Sequence, residues 1–317
     1  MKTRRIWILL AAVVLPGLAG AKALAEAEEE IKQIPVGDRV LILEHCPWAE
    51  NMTVVDAGPS LVVVDTWSSP QAATHAKAII DQRFHKPVSH VINTHFHWDH
   101  TFGNQVFSGA TVVGHRLCVE DMNAEYATAE ARTRVFDQAL AGSTGPLKEF
   151  ITGVKGQIDQ GFRLTVPTHP VDDQEVLHVG DLSLRLYHVP GLHTRTNLTI
   201  YVPELGLLFT RREFQQGSLP VLESGLDLGK LISSLEDVLA SGRPVSHIML
   251  GHGEPVNNPD LNVPLTYLRT LAEVVRTAKR EGRTIEQVQD DPRLKAIPEV
   301  VKAPKVHQAN LELVWRQ

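Results

Sequence analysis

Asn93-Thr94-His95-Phe96-His97-Trp98-Asp99-His100-Thr101 puts four potential metal ligands between positions 95 and 100. The apolar run before it, residues 88–93, reads as a buried strand that ends in a turn. Alternate side chains of extended backbone share a face, so His95 and His97 can reach one ion together. The turn can aim the adjacent Asp99 and His100 at a neighbouring point. Imidazole and carboxylate are the ligands a borderline ion such as zinc accepts when thiolate is absent. The opposing reading is a His-rich surface turn or satisfied core histidines. With 15 histidines in 317 residues, three packed beside an aspartate favour a metal.

Working outward, residues 40–44, 52–55 and 61–65 read as strands, with Gly58-Pro59-Ser60 as a turn. Val62-Val63-Val64 is apolar without alternation, as in a strand covered on both faces. Ser68-Ser69-Pro70 signals a helix start, and Ala73, Ala76, Ile79 and Ile80 share one face of that helix up to Arg83. Strand, helix and strand, with ligands at the last strand's C-terminal end, is where α/β sheets place their sites. Residues 102–107 read as a short helix and 111–114 as a strand. Residues 116–165 read as a helical insertion and lid, or equally as ordinary surface helices. Residues 175–179 and 182–188 form a hairpin around Gly180-Asp181, and 198–202 with 207–210 form another. An amphipathic helix over 228–239, a strand over 247–250 and helices from 261 onward complete the chain.

Two further histidines sit at strand ends. Val189-Pro190-Gly191-Leu192-His193-Thr194 places His193 on a Pro/Gly turn. Gly251-His252-Gly253 holds His252 between glycines that let backbone and metal approach closely. Each is weak alone and gains meaning beside the first cluster.

His-x-His-x-Asp-His after a buried strand, with these two downstream histidines, resembles the signature of the metallo-β-lactamase-fold hydrolases over roughly residues 40–255. Leu192 is an extra residue relative to that family's Pro-Gly-His-Thr element. The resemblance implies a four-layer αββα sandwich of the α/β class. It implies one zinc held by His95, His97 and His193 and a second held by Asp99, His100 and His252. It further implies a zinc-dependent hydrolase whose metal-bound hydroxide, oriented by Asp99, cleaves an ester, thioester, lactone or β-lactam carbonyl. Asp65 resembles a family aspartate that hydrogen-bonds the metal loop, although its position suits a helix N-cap equally. Trp48 and Trp98 either line an apolar pocket or simply pack.

The chain departs from the family after Leu207-Leu208-Phe209-Thr210. Many relatives carry Gly-Asp there, with a metal-bridging carboxylate, where this chain has Arg211-Arg212-Glu213. A permanently charged guanidinium cannot ligate and repels cations. Arg212 therefore points away, or weakens the second site, or binds a substrate carboxylate at the pocket edge. An exposed basic pair is the plain alternative.

A net charge of −6 gives no basic footprint for nucleic acid, and the resemblance implies a small-molecule substrate. Two cysteines, Cys46 and Cys118, exclude a disulfide scaffold and leave their own pairing open. Lys2, Arg4 and Arg5, an apolar run over 6–18 and the small-residue patterns Ala19-Gly20-Ala21 and Ala23-Leu24-Ala25 read as a signal peptide spanning 1–25. Thr3-Arg4-Arg5 also resembles a twin-arginine signal. An exported protein, periplasmic or secreted, is expected, with an uncleaved anchor as the alternative. Residues 26–317 then make one domain, with the insertion at about 116–165 and a helical C-terminal extension at about 261–317. Two other functions remain: an iron-dependent redox enzyme with this ligand set, and a non-catalytic metal-binding protein whose second site Arg212 has weakened.

Overall fold

The structure is a computed structural model. It describes residues 31–317 apart from 47, 159–160 and 211–218. The expected signal segment and Arg211, Arg212 and Glu213 lie outside the described residues.

Two sheets face each other. The first runs β1 (Ile31–Val36), β2 (Val40–His45), β3 (Glu50–Asp56), β4 (Leu61–Val64), β5 (Val88–Ile92), β6 (Thr111–His115) and β7 (His169–Val171) in spatial order. The second contains β8 (Gln174–Val179), β9 (Leu182–His188), β10 (Leu198–Val202), β11 (Leu207–Phe209), β12 (His247–Met249) and β13 (Val256–Asn257), laid out in reverse. β1 to β4 form an antiparallel meander, whereas β4 to β7 are parallel. The crossover from β4 to β5 is α1 (Pro70–Phe84). Parallel β4 and β5 thus end on the same edge, and that edge carries the histidine turn.

The strand side chains sort by parity into separate layers. Val62 and Val64 join Ile92, Val113, Leu186, Ile200 and Met249 in the core between the sheets. Leu61 and Val63 point the other way and pack on Ala72, Ala73, Ala76 and Ile80 of α1. This explains a strand without polar alternation, since both of its faces are covered. The second sheet's outer face, including Tyr201, Leu208 and Ile248, packs beneath α6 (Leu228–Ala240) and α7 (Asn262–Arg280). The result is the αββα sandwich expected from the sequence. α8 (Pro292–Lys295), α9 (Pro298–Lys302) and α10 (Pro304–Trp315) add to the same core through Leu294, Val300 and Leu311.

On the site side, α2 (Trp98–Thr101) and a 3-10 turn (Phe102–Phe107) follow the histidine turn. α3 (Arg116–Tyr126), α4 (Ala129–Ala141) and α5 (Gly145–Ile158) then enclose an aromatic cluster with Phe96, Trp98, Phe102, Tyr126 and Phe136. Three strands escaped the sequence reading. β1 carries Pro35 and little alternation, and β7 and β13 have three and two residues. Edge strands this short carry almost no periodic signal. Among the described residues no helix is long and apolar enough to cross a membrane.

Candidate metal centre

The six residues singled out in the sequence form two groups. In each, the candidate donor atoms of His95, His97 and His193, or of Asp99, His100 and His252, lie within 4.8 Å of one another. The His95 ring lies 4.7 Å from that of His97 and 5.2 Å from that of His193. The groups adjoin through His95 and His100, whose rings are 4.1 Å apart.

Each donor is delivered by a strand end. β5 leads into the turn carrying His95 and His97, and one helical turn, α2, presents Asp99 and His100. The extra Leu192 is absorbed by burial at 3% exposure in the core under α6, so the loop shift leaves His193 in place. Gly191 has φ +76°, and a Cβ there would meet the Gly225 backbone at 2.1 Å. The two histidine loops are tied together, because the Phe96 N–H donates to Thr196 Oγ1 and the Leu198 N–H to the Thr94 carbonyl.

Asp65 holds this arrangement from below. Its carboxylate accepts from the Thr94 N–H at 2.8 Å, from Thr94 Oγ1 at 2.7 Å and from His100 Nδ1 at 2.8 Å. With Nδ1 so engaged, His100 turns Nε2 to Asp99 Oδ2 at 3.4 Å, and His252 Nε2 faces the same oxygen at 3.3 Å. A carboxylate on the far nitrogen fixes both the tautomer and the orientation of a ligand histidine. The N-cap role that competed for Asp65 belongs instead to Ser69, whose side chain accepts from the Ala72 N–H. Asp65 and Trp67 have φ of 59° and 68°. Non-glycine residues held there cost of order 1–3 kcal/mol each and persist where surrounding contacts over-determine them.

The His252 turn is clamped by residues the sequence did not flag. Asn51, 3% exposed, donates its amide to the Leu250 carbonyl at 2.9 Å and to the Gly253 carbonyl at 2.7 Å. Its backbone N–H reaches Gly251 O, and the Gly253 N–H reaches Ala49 O. The partners are about 200 residues apart in sequence, so no local pattern announces them. Gly251 is required by contact, since a Cβ there would sit 2.7 Å from His100 Cε1. Glu50 was also missed. It is fully buried, accepts from the Ser68 N–H, and burial pushes its carboxyl up. His45 packs beside it in the core, stacked on Trp67 at 5.0 Å.

The electrostatics suit a cation. Burial alone would raise the Asp99 carboxyl, but the charge and hydrogen bonds of His100 and His252 outweigh it and hold it well below the usual range. Burial also opposes a charge on His100, yet Asp99 and Asp65 together raise it well above ordinary imidazole. Burial, then the neighbouring His100, His97 and His193, press His95 well below it. His95 Nε2 is buried with no hydrogen-bond partner. A neutral imidazole nitrogen left unsatisfied among two other imidazoles costs energy unless something accepts its lone pair, and a metal ion does. The residues therefore fit a bound metal ion.

Comparison with known proteins agrees. Residues 47–210 match the family described as the metallo-beta-lactamase superfamily. The chain belongs to the metallo-beta-lactamase superfamily. This superfamily member is 27% identical to hydroxyacylglutathione hydrolase of Rhodobacter capsulatus over 169 residues, 53% of this chain and 47% of that one. Among solved structures it resembles the stereoselective inverting sec-alkylsulfatase of Pseudomonas sp. That likeness has a TM-score of 0.59 at 17% identity, and covers 90% of this chain and 50% of the other. It also resembles a metallo-beta-lactamase from Pontibacter korlensis, with a TM-score of 0.52 at 16% identity over 76% and 99% of the two chains. At these identities the two structures speak for the fold alone. The chain spans about half the length of the hydrolase and of the alkylsulfatase.

Proposed function

We propose that the protein is a zinc-dependent hydrolase acting on an acyl carbonyl in an ester, thioester, lactone or β-lactam. The convergence of two adjacent three-donor groups at one sheet edge carries this reading. His95, His97 and His193 would hold one ion, and Asp99, His100 and His252 a second. Ions held there supply Lewis-acid polarisation of the carbonyl and a more acidic water.

The chain's own residues do the rest. Asp99 is held towards its ionised form, and its side chain is 13% exposed. It accepts a hydrogen bond from the attacking water and aims the water's lone pair. The water oxygen joins the acyl carbon and the bond to the leaving atom breaks. The water's proton passes through Asp99 to that atom. Asp65 and Asn51 act at one remove, holding His100 and the His252 turn. Arg212, outside the described residues, is kept from the sequence as a candidate for pairing with a substrate carboxylate through its guanidinium. The similarity to hydroxyacylglutathione hydrolase supports acyl chemistry, and no thiolate enters either donor group.

The test is turnover of an acyl ester, thioester, lactone and β-lactam panel by zinc-loaded protein, with His95→Ala as control. Hydrolysis lost in His95→Ala supports the reading. Coloured protein with near-stoichiometric iron and no hydrolysis would move it to redox chemistry. Metal binding without turnover of any panel member would leave a binding protein.

A further inference from the structure

Beside the Asp99, His100 and His252 group stands a set of aromatic rings that the proposed chemistry does not use. The Trp48 ring lies 6.1 Å from that of His252, edge to face. It stacks on Phe150 of α5 at 6.0 Å with an interplanar angle of 22°, and it lies 6.5 Å from Trp98. Trp98 in turn packs on Phe136 at 5.2 Å, so the wall continues into the buried aromatic cluster. Trp98 is buried, whereas Trp48 and Phe150 keep part of their surface open.

Trp48 is fixed in register with the site. Its carbonyl faces His252 Nδ1 at 3.4 Å. Ala49 next to it has φ +55°, a left-handed conformation that a non-glycine residue holds only when its contacts enforce it. Residues 49 and 51 meanwhile bond the His252 turn. The segment that secures a ligand on one side therefore displays an indole on the other. The ring partners of Trp48 are aromatic side chains and the His252 imidazole. Among the described residues such a face offers area for apolar groups and no fork of donors for a charged one.

We propose that Trp48 and Phe150 form the acyl subsite, so that the substrate class is acyl esters or thioesters with an apolar chain of several carbons. This rests on the hydrolase reading above. A carboxylic acid product would present its oxygens to the ions that the two donor groups would hold, and lay its chain on the Trp48 and Phe150 rings. Each methylene carried onto the wall should raise kcat/KM about two- to four-fold, mainly through KM, because the contact is made equally in ground and transition states.

The experiment is a chain-length ladder of 4-nitrophenyl esters, acetate to octanoate, on zinc-loaded wild type, Trp48→Ala, Trp48→Phe and Phe150→Ala. Beside it, acetate, butyrate and octanoate are titrated calorimetrically. The expected result is a rising ladder in wild type, flattened in Trp48→Ala and Phe150→Ala and largely restored in Trp48→Phe, with octanoate binding following the same order. Phe150→Ala, on a helix outside the sandwich, decides the matter should Trp48→Ala fail to fold. A flat wild-type ladder, a ladder unchanged in both alanine variants, or preference for a hydroxyacyl-glutathione thioester over the octanoate ester would overturn the assignment. Failure to hydrolyse any acyl substrate would count against the hydrolase reading instead. The carboxylate titrations then decide the subsite by themselves: octanoate bound no more tightly than acetate refutes it.

Discussion

Asn51→Ala removes one buried amide that bridges two carbonyls of the His252 turn. The backbone bonds on either side, Asn51 N–H to Gly251 O and Gly253 N–H to Ala49 O, remain, so the chain still closes. Two lost hydrogen bonds are worth roughly 1 kcal/mol each net. The Leu250 and Gly253 carbonyls also lose a buried partner, so the total cost is about 2–4 kcal/mol. That energy is localised where His252 is oriented. The second-ion affinity should therefore fall by roughly 10–100-fold, the usual cost of removing a group that holds a ligand, while the His95, His97 and His193 group is untouched. Asn51→Asp keeps the shape but turns a carboxylate onto two carbonyl oxygens and should be worse. Urea unfolding gives the first number and zinc titration against a chromophoric chelator the second. Asn51→Ala with wild-type stability and two unchanged zinc affinities would refute the clamp.

Gly251→Ala should disturb the same group from the opposite side, because the new methyl meets His100 Cε1 at 2.7 Å; zinc content is expected to drop towards one ion, read by elemental analysis. Stability should fall with acid in a way that His115 accounts for. Burial first, and then the charge of His188 stacked at 3.5 Å, lower the His115 imidazole to about 4. The unfolded chain takes up that proton below about 6.5 and the folded chain only near 4, so stability is whole above about 6.5 and is lost as pH falls towards 4. At ~1.4 kcal/mol per pH unit, discounted for solvent screening, the loss is roughly 1–2 kcal/mol. Urea midpoints at neutral and mildly acidic pH, compared with His115→Asn, check it, and an identical acid slope in the variant would count against it. Expression in a Gram-negative host should yield mature protein cleaved near residue 25, seen by intact mass, whereas a full-length mass would favour an uncleaved anchor.

The candidate donors that converge in the structure were legible in the sequence because strand-end histidines beside glycine and proline carry their meaning locally. A strand buried on both faces was legible from Val62-Val63-Val64 and the crossover helix, whereas the αββα layering followed from the family resemblance. What was hidden is what distance in sequence hides. Asn51 reads as one polar residue in a strand, and its role appears only when Leu250 and Gly253 come to it. Trp48 and Phe150 are separate aromatics until α5 brings Phe150 onto the Trp48 ring. Asp65 carried two readings because a strand end before a helix suits a cap and a ligand support alike. The contact with His100 Nδ1, and the Ser69 cap on the helix, separate them.

Metal content of the purified protein after equilibration with zinc tests the central claim most directly, with His95→Ala, His252→Ala and Arg212→Asp measured alongside. Two tightly held zinc ions in the wild type are expected, with each histidine variant losing one, and Arg212→Asp retaining both if that arginine stands at the pocket edge. A wild-type protein that retains no zinc, or whose content is unmoved by loss of either histidine, would contradict the account.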